Sequence, residues 1–104
     1  MRDLQFTVDE QILSASGDIS NIVRGSKGYL RCRFAFCQDS WKRCNVIVVF
    51  ESESNTEYAV SLNRDGICDV PDEVTDGKHF KIRLIGVRGD YQITTNKILI
   101  NQGG

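Results

Sequence analysis

The sequence predicts an all-β fold, an antiparallel β-sandwich or small barrel of about seven or eight short strands. Three observations favour this fold. Apolar and polar residues alternate along several short segments, turn residues recur roughly every ten residues, and no window of ten or more residues has a helical period. The length of 104 residues suits one domain, and an apolar content of 40% suits a folded chain. We therefore expect a single sandwich domain over residues 1–100 and a flexible tail over 101–104.

The first strands are predicted from alternation between polar turns. Leu4–Val8 alternates clearly, whereas Gln11–Ala15 and Ile19–Val23 are weaker candidates on either side of a turn at Gly17-Asp18. Tyr29–Cys37 has the strongest alternation in the chain. We assign its apolar face, with cysteine acting as a small apolar side chain, to the core. That face consists of Leu30, Cys32, Phe34 and Phe36.

Val46–Phe50 is apolar on both faces. This composition indicates a central strand that is covered on both sides, or a strand that packs in the sandwich on one side and against a partner on the other. A polar break at Gln38-Asp39-Ser40 precedes Trp41. The large area of the Trp41 ring favours a core position, and an exposed stacking platform is the alternative.

The next strands flank a strong turn signal. Tyr58–Leu62 alternates, and Asn63–Gly66 predicts a hairpin turn because Asn, Asp and Gly tolerate positive φ. Ile67–Val70 is a short strand that ends at Pro71, which has no N–H to donate. Asp72–Gly77 reads as a turn containing at most one helical turn.

The last strands contain a change of parity. Phe80, Ile82 and Leu84 point to one side, and a reversal follows at Gly86–Asp90. Along Tyr91–Ile100 the apolar residues switch from odd to even positions, which strict alternation forbids. We therefore expect a bulge or kink near Thr94-Thr95-Asn96. The apolar residues concerned are Tyr91, Ile93, Ile98 and Ile100.

Four cysteines are spaced C-x4-C-x6-C-x23-C. An even number is compatible with disulfides, but no secretory signal is visible at Met1–Leu4, and we favour free thiols. One disulfide is the second alternative. Zinc is the least favoured, because the spacing lacks close pairs and the chain has one histidine. The cysteines are Cys32, Cys37, Cys44 and Cys68.

The charges are segregated although the net charge is −1. Basic residues dominate 24–43 and acidic residues dominate 51–76. In one interpretation, oppositely charged strands lie side by side within the sheet. In the other, the two-signed surface orients copies or partners during assembly.

No catalytic, metal or cofactor-binding residue is predicted. His79 is the only natural base near neutral pH, and its alternation with Lys81 and Arg83 predicts an exposed strand position. No phosphate loop, dinucleotide fingerprint or calcium-loop spacing is present, and no apolar run approaches the ~20 residues of a membrane span. A basic–aromatic face is too unspecific, in an acidic chain, to predict nucleic-acid binding. Its residues would be Lys27, Tyr29, Arg31 and Arg33.

Several segments together resemble the immunoglobulin-like structural modules of tail and baseplate proteins from phages of Gram-positive bacteria, such as the amino-terminal domain of baseplate upper proteins. The resemblance covers nearly the whole chain in order and spacing. It is clearest at 62–74. The Val-Pro-x-Glu-Val turn at 70–74 and Ile-Thr-Thr-Asn at 93–96 are unusual together. The other segments are 4–11, 29–36, 39–41, 80–86 and 93–97.

The resemblance implies an immunoglobulin-like sandwich and a noncatalytic virion protein that is assembled in the host bacterial cytoplasm. The implied role is that of a tail, baseplate or head-decoration module, and the implied partners are other virion proteins, further copies of the chain included. The alternative function is a carbohydrate-binding sandwich for attachment to the host surface. It would require an exposed aromatic platform, for which Trp41, Tyr58 and Tyr91 are the candidates.

Overall fold

The structure, a computed structural model, describes all 104 residues and contains nine strands. Four of them form one sheet, in the order β2-β1-β3-β6, and five form the other, in which β5-β4-β7-β8 are neighbours and β9 also pairs with β7. Two single 3₁₀ turns lie at Asp39–Trp41 and Asp72–Val74, and neither is long enough to cross a membrane. The strands are β1 Arg2–Asp9, β2 Ile12–Ala15, β3 Leu30–Phe36, β4 Asn45–Ser52, β5 Glu57–Ser61, β6 Ile67–Asp69, β7 His79–Arg88, β8 Tyr91–Thr94 and β9 Ile98–Asn101.

The predicted all-β sandwich is confirmed, with one departure from antiparallel pairing. β1 and β3 run parallel, from Arg2 opposite Leu30 to Val8 opposite Phe36. A parallel pair requires a crossover connection. Here β2 and the segment 16–29 carry the chain back to the end of the sheet where β1 began. The segment Ile19–Val23, predicted as a weak strand, is part of this connection and forms no named strand.

The core lies between the two sheets and is made by alternate residues of each strand. Phe6 and Phe34, on the four-stranded sheet, stack with ring centroids 5.2 Å apart. Phe50 and Phe80, both on the five-stranded sheet, have ring centroids 6.2 Å apart. The predicted inner face of β3 is confirmed. Other fully buried core side chains are Leu4, Val8, Val48, Val74, Ile82, Leu84 and Ile100.

Trp41 is a core residue, as the sequence favoured. Its ring is 5% exposed and packs 5.4 Å from Phe36. Its Nε1 donates to the carbonyl oxygen of Glu10 at 2.8 Å. A Cβ at Gly86 would lie only 2.8 Å from two ring atoms, so β7 carries glycine where the indole crosses it. Trp41 thereby connects the β1–β2 turn to the five-stranded sheet.

The Asn63–Gly66 turn forms, but it does not make the predicted hairpin. Asn63 Oδ1 accepts from the N–H groups of Asp65 and Ile67, and Gly66 has a φ of 75°. However, β5 belongs to the five-stranded sheet and β6 pairs with β3 in the other. The residues of the turn determine that the chain reverses, whereas the strand with which β6 then pairs is determined by contacts with residues distant in sequence.

The predicted parity change is a break between β8 and β9. Both strands pair with β7, but their register differs by one residue across Thr95. Thr95 is buried, and its Oγ1 accepts from the N–H of Leu84 at 3.0 Å while its own N–H donates to the Leu84 carbonyl oxygen. Thr95 therefore satisfies both backbone hydrogen-bonding groups of Leu84 at the point where the ladder is interrupted.

The tail expected at 101–104 is instead part of the domain as far as Gly103. Asn101 ends β9, and Gln102 is buried. Gln102 Nε2 donates to the carbonyl oxygens of Val74 and Gly77 at 3.2 and 3.0 Å. The N–H of Gly103 donates to the carbonyl oxygen of Ile22. A polar tail was predicted because the sequence does not reveal these backbone acceptors.

Candidate interaction surface

The outer face of the five-stranded sheet carries a group of apolar side chains, which we call the β4–β7 outer face: Ile47, Val49, Ile85 and Val87. Ile47 lies directly opposite Ile85, and their neighbours along the same strands complete the group. Val49 is 7% exposed, and the other three are half-buried. Since Val48 and Phe50 fill the core from the same strand, β4 is apolar on both sides and central in its sheet. The predicted central position of Val46–Phe50 is thus confirmed, but no second sheet packs on the outer side of β4, and a partner on that side stays a prediction.

A network of charged side chains from β4, β5, β7 and Lys97 borders this apolar group. Lys97 donates to Glu51 at 2.7 Å, and Lys81 lies 4.0 Å from the same carboxylate. The hydrogen bond from Lys97, followed by the nearby positive charges, lowers the pKa of Glu51 below its ordinary value. Arg83 donates to Glu57 at 3.2 Å. The network offsets the repulsion between Glu51 and Glu57, which face each other on β4 and β5.

The free edge of β5 adjoins the β4–β7 outer face. The backbone N–H of Leu62 donates to the carbonyl oxygen of Val46, and the backbone N–H of Ser52 donates to the carbonyl oxygen of Thr56. The even-numbered residues of β5 are therefore the ones whose backbone groups bond to β4. The backbone groups of the odd-numbered positions therefore point away from β4, where the sheet has no further strand. These residues, all exposed, are Glu57, Ala59 and Ser61.

The other sheet edges are covered or short. The Asn96 side chain accepts from the N–H of Leu13 at 2.7 Å and donates to its carbonyl oxygen at 3.2 Å, so it occupies the outer edge of β2. The β8–β9 edge is interrupted at Thr95, and Gln11 Nε2 donates to the carbonyl oxygen of Thr94. β6 has three residues. The β5 edge is thus the longest uninterrupted edge left open, the kind that accepts an additional strand.

The outer face of the four-stranded sheet is polar and internally neutralised. Asp3 accepts from Arg31 Nε at 2.8 Å and from Arg33 Nε at 2.7 Å. These two hydrogen bonds, the one from Arg31 first, lower the pKa of Asp3 from 3.8 to about 2. Arg31 is also opposite Asp69 on β6. The basic residues that suggested a nucleic-acid face are thus engaged with carboxylates.

The charge segregation in the sequence is partly explained by these pairs. Lys27, in the basic region, bonds Asp76 at 2.8 Å, and Asp72 accepts from the N–H of Gly28 at 3.0 Å. These two contacts join residues outside the strands, whereas Arg31 on β3 and Asp69 on β6 bear out the interpretation of oppositely charged neighbouring strands for that one pair. A role of the remaining surface charge in assembly stays a prediction.

The aromatic candidates for a glycan platform are not arranged as one. Trp41 is buried, and Tyr58 is half-buried against the core. Tyr91 is 37% exposed, but Arg88 stacks over its ring, 4.7 Å from the centroid, and its hydroxyl donates to the carbonyl oxygen of Ser40. Near Trp41, a groove of about 550 Å³ opens between the sheets. Half-buried Phe36 and Cys44 line it beside polar turn residues, and the only one of the three candidate rings in its lining, Trp41, is buried.

The residues weighed for chemistry do not converge. His79, predicted to be exposed, is half-buried at the start of β7, because β9 pairs there and places Asn101 opposite it. No group of three or more histidine, cysteine or acidic side chains is placed to hold a metal ion. All four cysteines are free, which agrees with the favoured prediction; Cys32 and Cys68 are buried, and Cys37 is exposed.

Comparisons with protein-family models, with curated proteins and with solved structures find no match to this chain. Sequence analysis missed the open β5 edge and the Asn96 contact. Neither had a local signal, because both depend on which strands become neighbours.

Proposed function

We propose that the protein is a noncatalytic structural module that acts through protein–protein assembly. The observation that carries this proposal is the open β5 edge beside the β4–β7 outer face. Backbone groups in a free edge supply directional hydrogen bonds, and an adjoining apolar surface supplies area that becomes buried on contact. The resemblance to phage modules supports a virion role for this module, as a component of the tail, the baseplate or the head decoration.

The partner we propose for the β5 edge is a second copy of the chain. In an antiparallel pairing centred on Ala59, each Glu57 lies opposite Ser61 of the other copy, so no like charges meet across the new pair. The outward-pointing groups of all three residues would then form a continuous ladder. The two five-stranded sheets would become one, with their outer faces on the same side.

Sedimentation velocity of the purified protein tests this assembly. We expect a concentration-dependent dimer, and Ala59→Pro should weaken it at least about tenfold because proline removes the central N–H donor. That N–H makes no bond to β4, so the domain should keep its strand content by circular dichroism. Ala59→Ser, which retains the N–H, is the matched control and should dimerise like the wild type. A strictly monomeric wild type, or equal dimerisation of both variants, would contradict the proposed edge.

Mass spectrometry of purified particles tests the virion role separately. Particles produced from the genome that encodes this chain should contain it in stoichiometric amounts with other structural proteins. Its absence from such particles would overturn the virion role and leave the assembly geometry to be judged by sedimentation.

A further inference from the structure

Two of the four cysteines face each other across neighbouring strands. Cys32 on β3 is directly opposite Cys68 on β6 in the antiparallel register. On one side of the pair, the N–H of Phe34 donates to the carbonyl oxygen of Gly66, and on the other side the N–H of Val70 donates to the carbonyl oxygen of Leu30. Because hydrogen-bonded positions recur every second residue, Cys32 and Cys68 are also a hydrogen-bonded pair. At such a position the Cα atoms are about 5.5 Å apart, which lies within the Cα separation found in disulfides. The Cβ atoms of a hydrogen-bonded pair are farther apart than those of most disulfides, so formation of the bond requires a small shift of β6 toward β3.

Both thiols point into the same part of the core. Cys32 is 0% exposed and Cys68 is 6% exposed. Contact with the Cys68 thiol and burial raise the pKa of Cys32 well above its ordinary value. Because the thiolate is the reactive form, the Cys32 thiol should resist oxidants while β6 is in place.

β6 is the element that can expose the pair. It has three residues, it pairs on one side only, and it is bounded by the Gly66 turn and by Pro71. A short edge strand with few ladder bonds opens locally at a lower free-energy cost than the central strands do. Opening of β6 would bring Cys68 into water and uncover Cys32 in the same step.

We propose that Cys32 and Cys68 form a redox-active pair whose disulfide fastens β6 to β3. The oxidant is a small-molecule disulfide such as oxidised glutathione. The thiolate of one cysteine attacks a glutathione sulfur, and one reduced glutathione leaves. The second cysteine, deprotonated, then attacks the protein sulfur of the mixed disulfide and releases the second glutathione. Two thiols lose two electrons and two protons, and one glutathione disulfide becomes two thiols.

The bond would close a loop that contains β4 and β5, the strands of the proposed assembly surface. Constraint of the unfolded chain over this loop stabilises the folded state. The inference is independent of the proposed function, because it depends only on the geometry of β3 and β6.

The test uses the Cys37→Ser/Cys44→Ser variant, in which only the facing pair remains. After equilibration in a buffer of oxidised and reduced glutathione, we expect an intact mass lower by two hydrogen atoms and no glutathione adduct. The Tm should rise by about 5–15 °C and return to its starting value after reduction.

The Cys32→Ser/Cys68→Ser variant is the control and should show no rise in Tm under the same conditions. Peptide mapping of the oxidised wild type should recover the Cys32–Cys68 crosslink, which checks the pairing without any substitution. Stable glutathione adducts on either cysteine, an unchanged mass, or a crosslink between Cys37 and Cys44 in place of the facing pair would overturn the proposal.

Discussion

Replacement of Gly86 by alanine tests how tightly Trp41 joins the two sheets. A Cβ at Gly86 would lie 2.8 Å from two atoms of the indole ring and 3.2 Å from Ile93 Cγ2. The ring cannot move away freely, because Phe36 packs against it and its Nε1 is bonded to Glu10. Overpacking of this kind costs about 1–3 kcal/mol, and the lower unfolded-state entropy of alanine offsets about 0.4–1 kcal/mol.

We therefore expect Gly86→Ala to lower the free energy of unfolding by about 1–2 kcal/mol. The assay is urea unfolding followed by fluorescence, in which Trp41 is the only tryptophan and reports directly on the contact. Gly17→Ala is the matched control. Its Cβ would meet only the exposed Gln5 side chain, at 3.3 Å, and its effect should stay within about 0.5 kcal/mol.

A double-mutant cycle assigns this cost to the indole. In a Trp41→Leu background the space beside β7 is larger, and the penalty of Gly86→Ala should fall by at least about 1 kcal/mol. That cycle is followed by circular dichroism, since the fluorophore is absent. The reasoning would be refuted by an equal penalty in both backgrounds, or by a Gly86→Ala protein as stable as the wild type.

Three further substitutions test contacts between distant segments. Asn96→Ala should cost about 1–2 kcal/mol in urea unfolding and speed hydrogen exchange at the Leu13 amide, because both edge bonds are lost; unchanged exchange would contradict this role. Gln102→Leu should cost about 1–3 kcal/mol, since two backbone carbonyls lose their donor, whereas a flexible tail would give no change. Asp3→Asn should lower the Tm at neutral pH, and the difference from the wild type should vanish as the pH falls. The folded pKa of Asp3, about 2, lies below its ordinary 3.8, so its stabilisation is present above about pH 4 and is lost toward about pH 2; a difference that stayed constant over this range would exclude the Arg31 bridge as its source.

Local periodicity was sufficient to predict most of the strands and the inner face of β3, although the predicted strand at Ile19–Val23 does not form. The inner residues of β3 and the register break at Thr95 follow from alternation, which depends only on the side-chain period of a strand. The pairing of the strands was not accessible in this way. β1 alternates identically whether its neighbour runs parallel or antiparallel, and the Asn63 turn is the same whether β6 stays beside β5 or crosses to the other sheet.

Only the part of the candidate surface that lies on a single strand could be predicted from the sequence. Two-sided apolarity in β4 indicated a covered outer side, but Ile85 joins Ile47 there only because β7 is its neighbour. The open edge depends still more on topology. Because β6 leaves β5 for the other sheet, β5 loses the strand that a hairpin would have given it. The same crossover places Cys68 opposite Cys32. The crossing of β6 to the other sheet therefore creates both the free β5 edge proposed for assembly and the thiol pair whose disulfide would fasten β6 to β3.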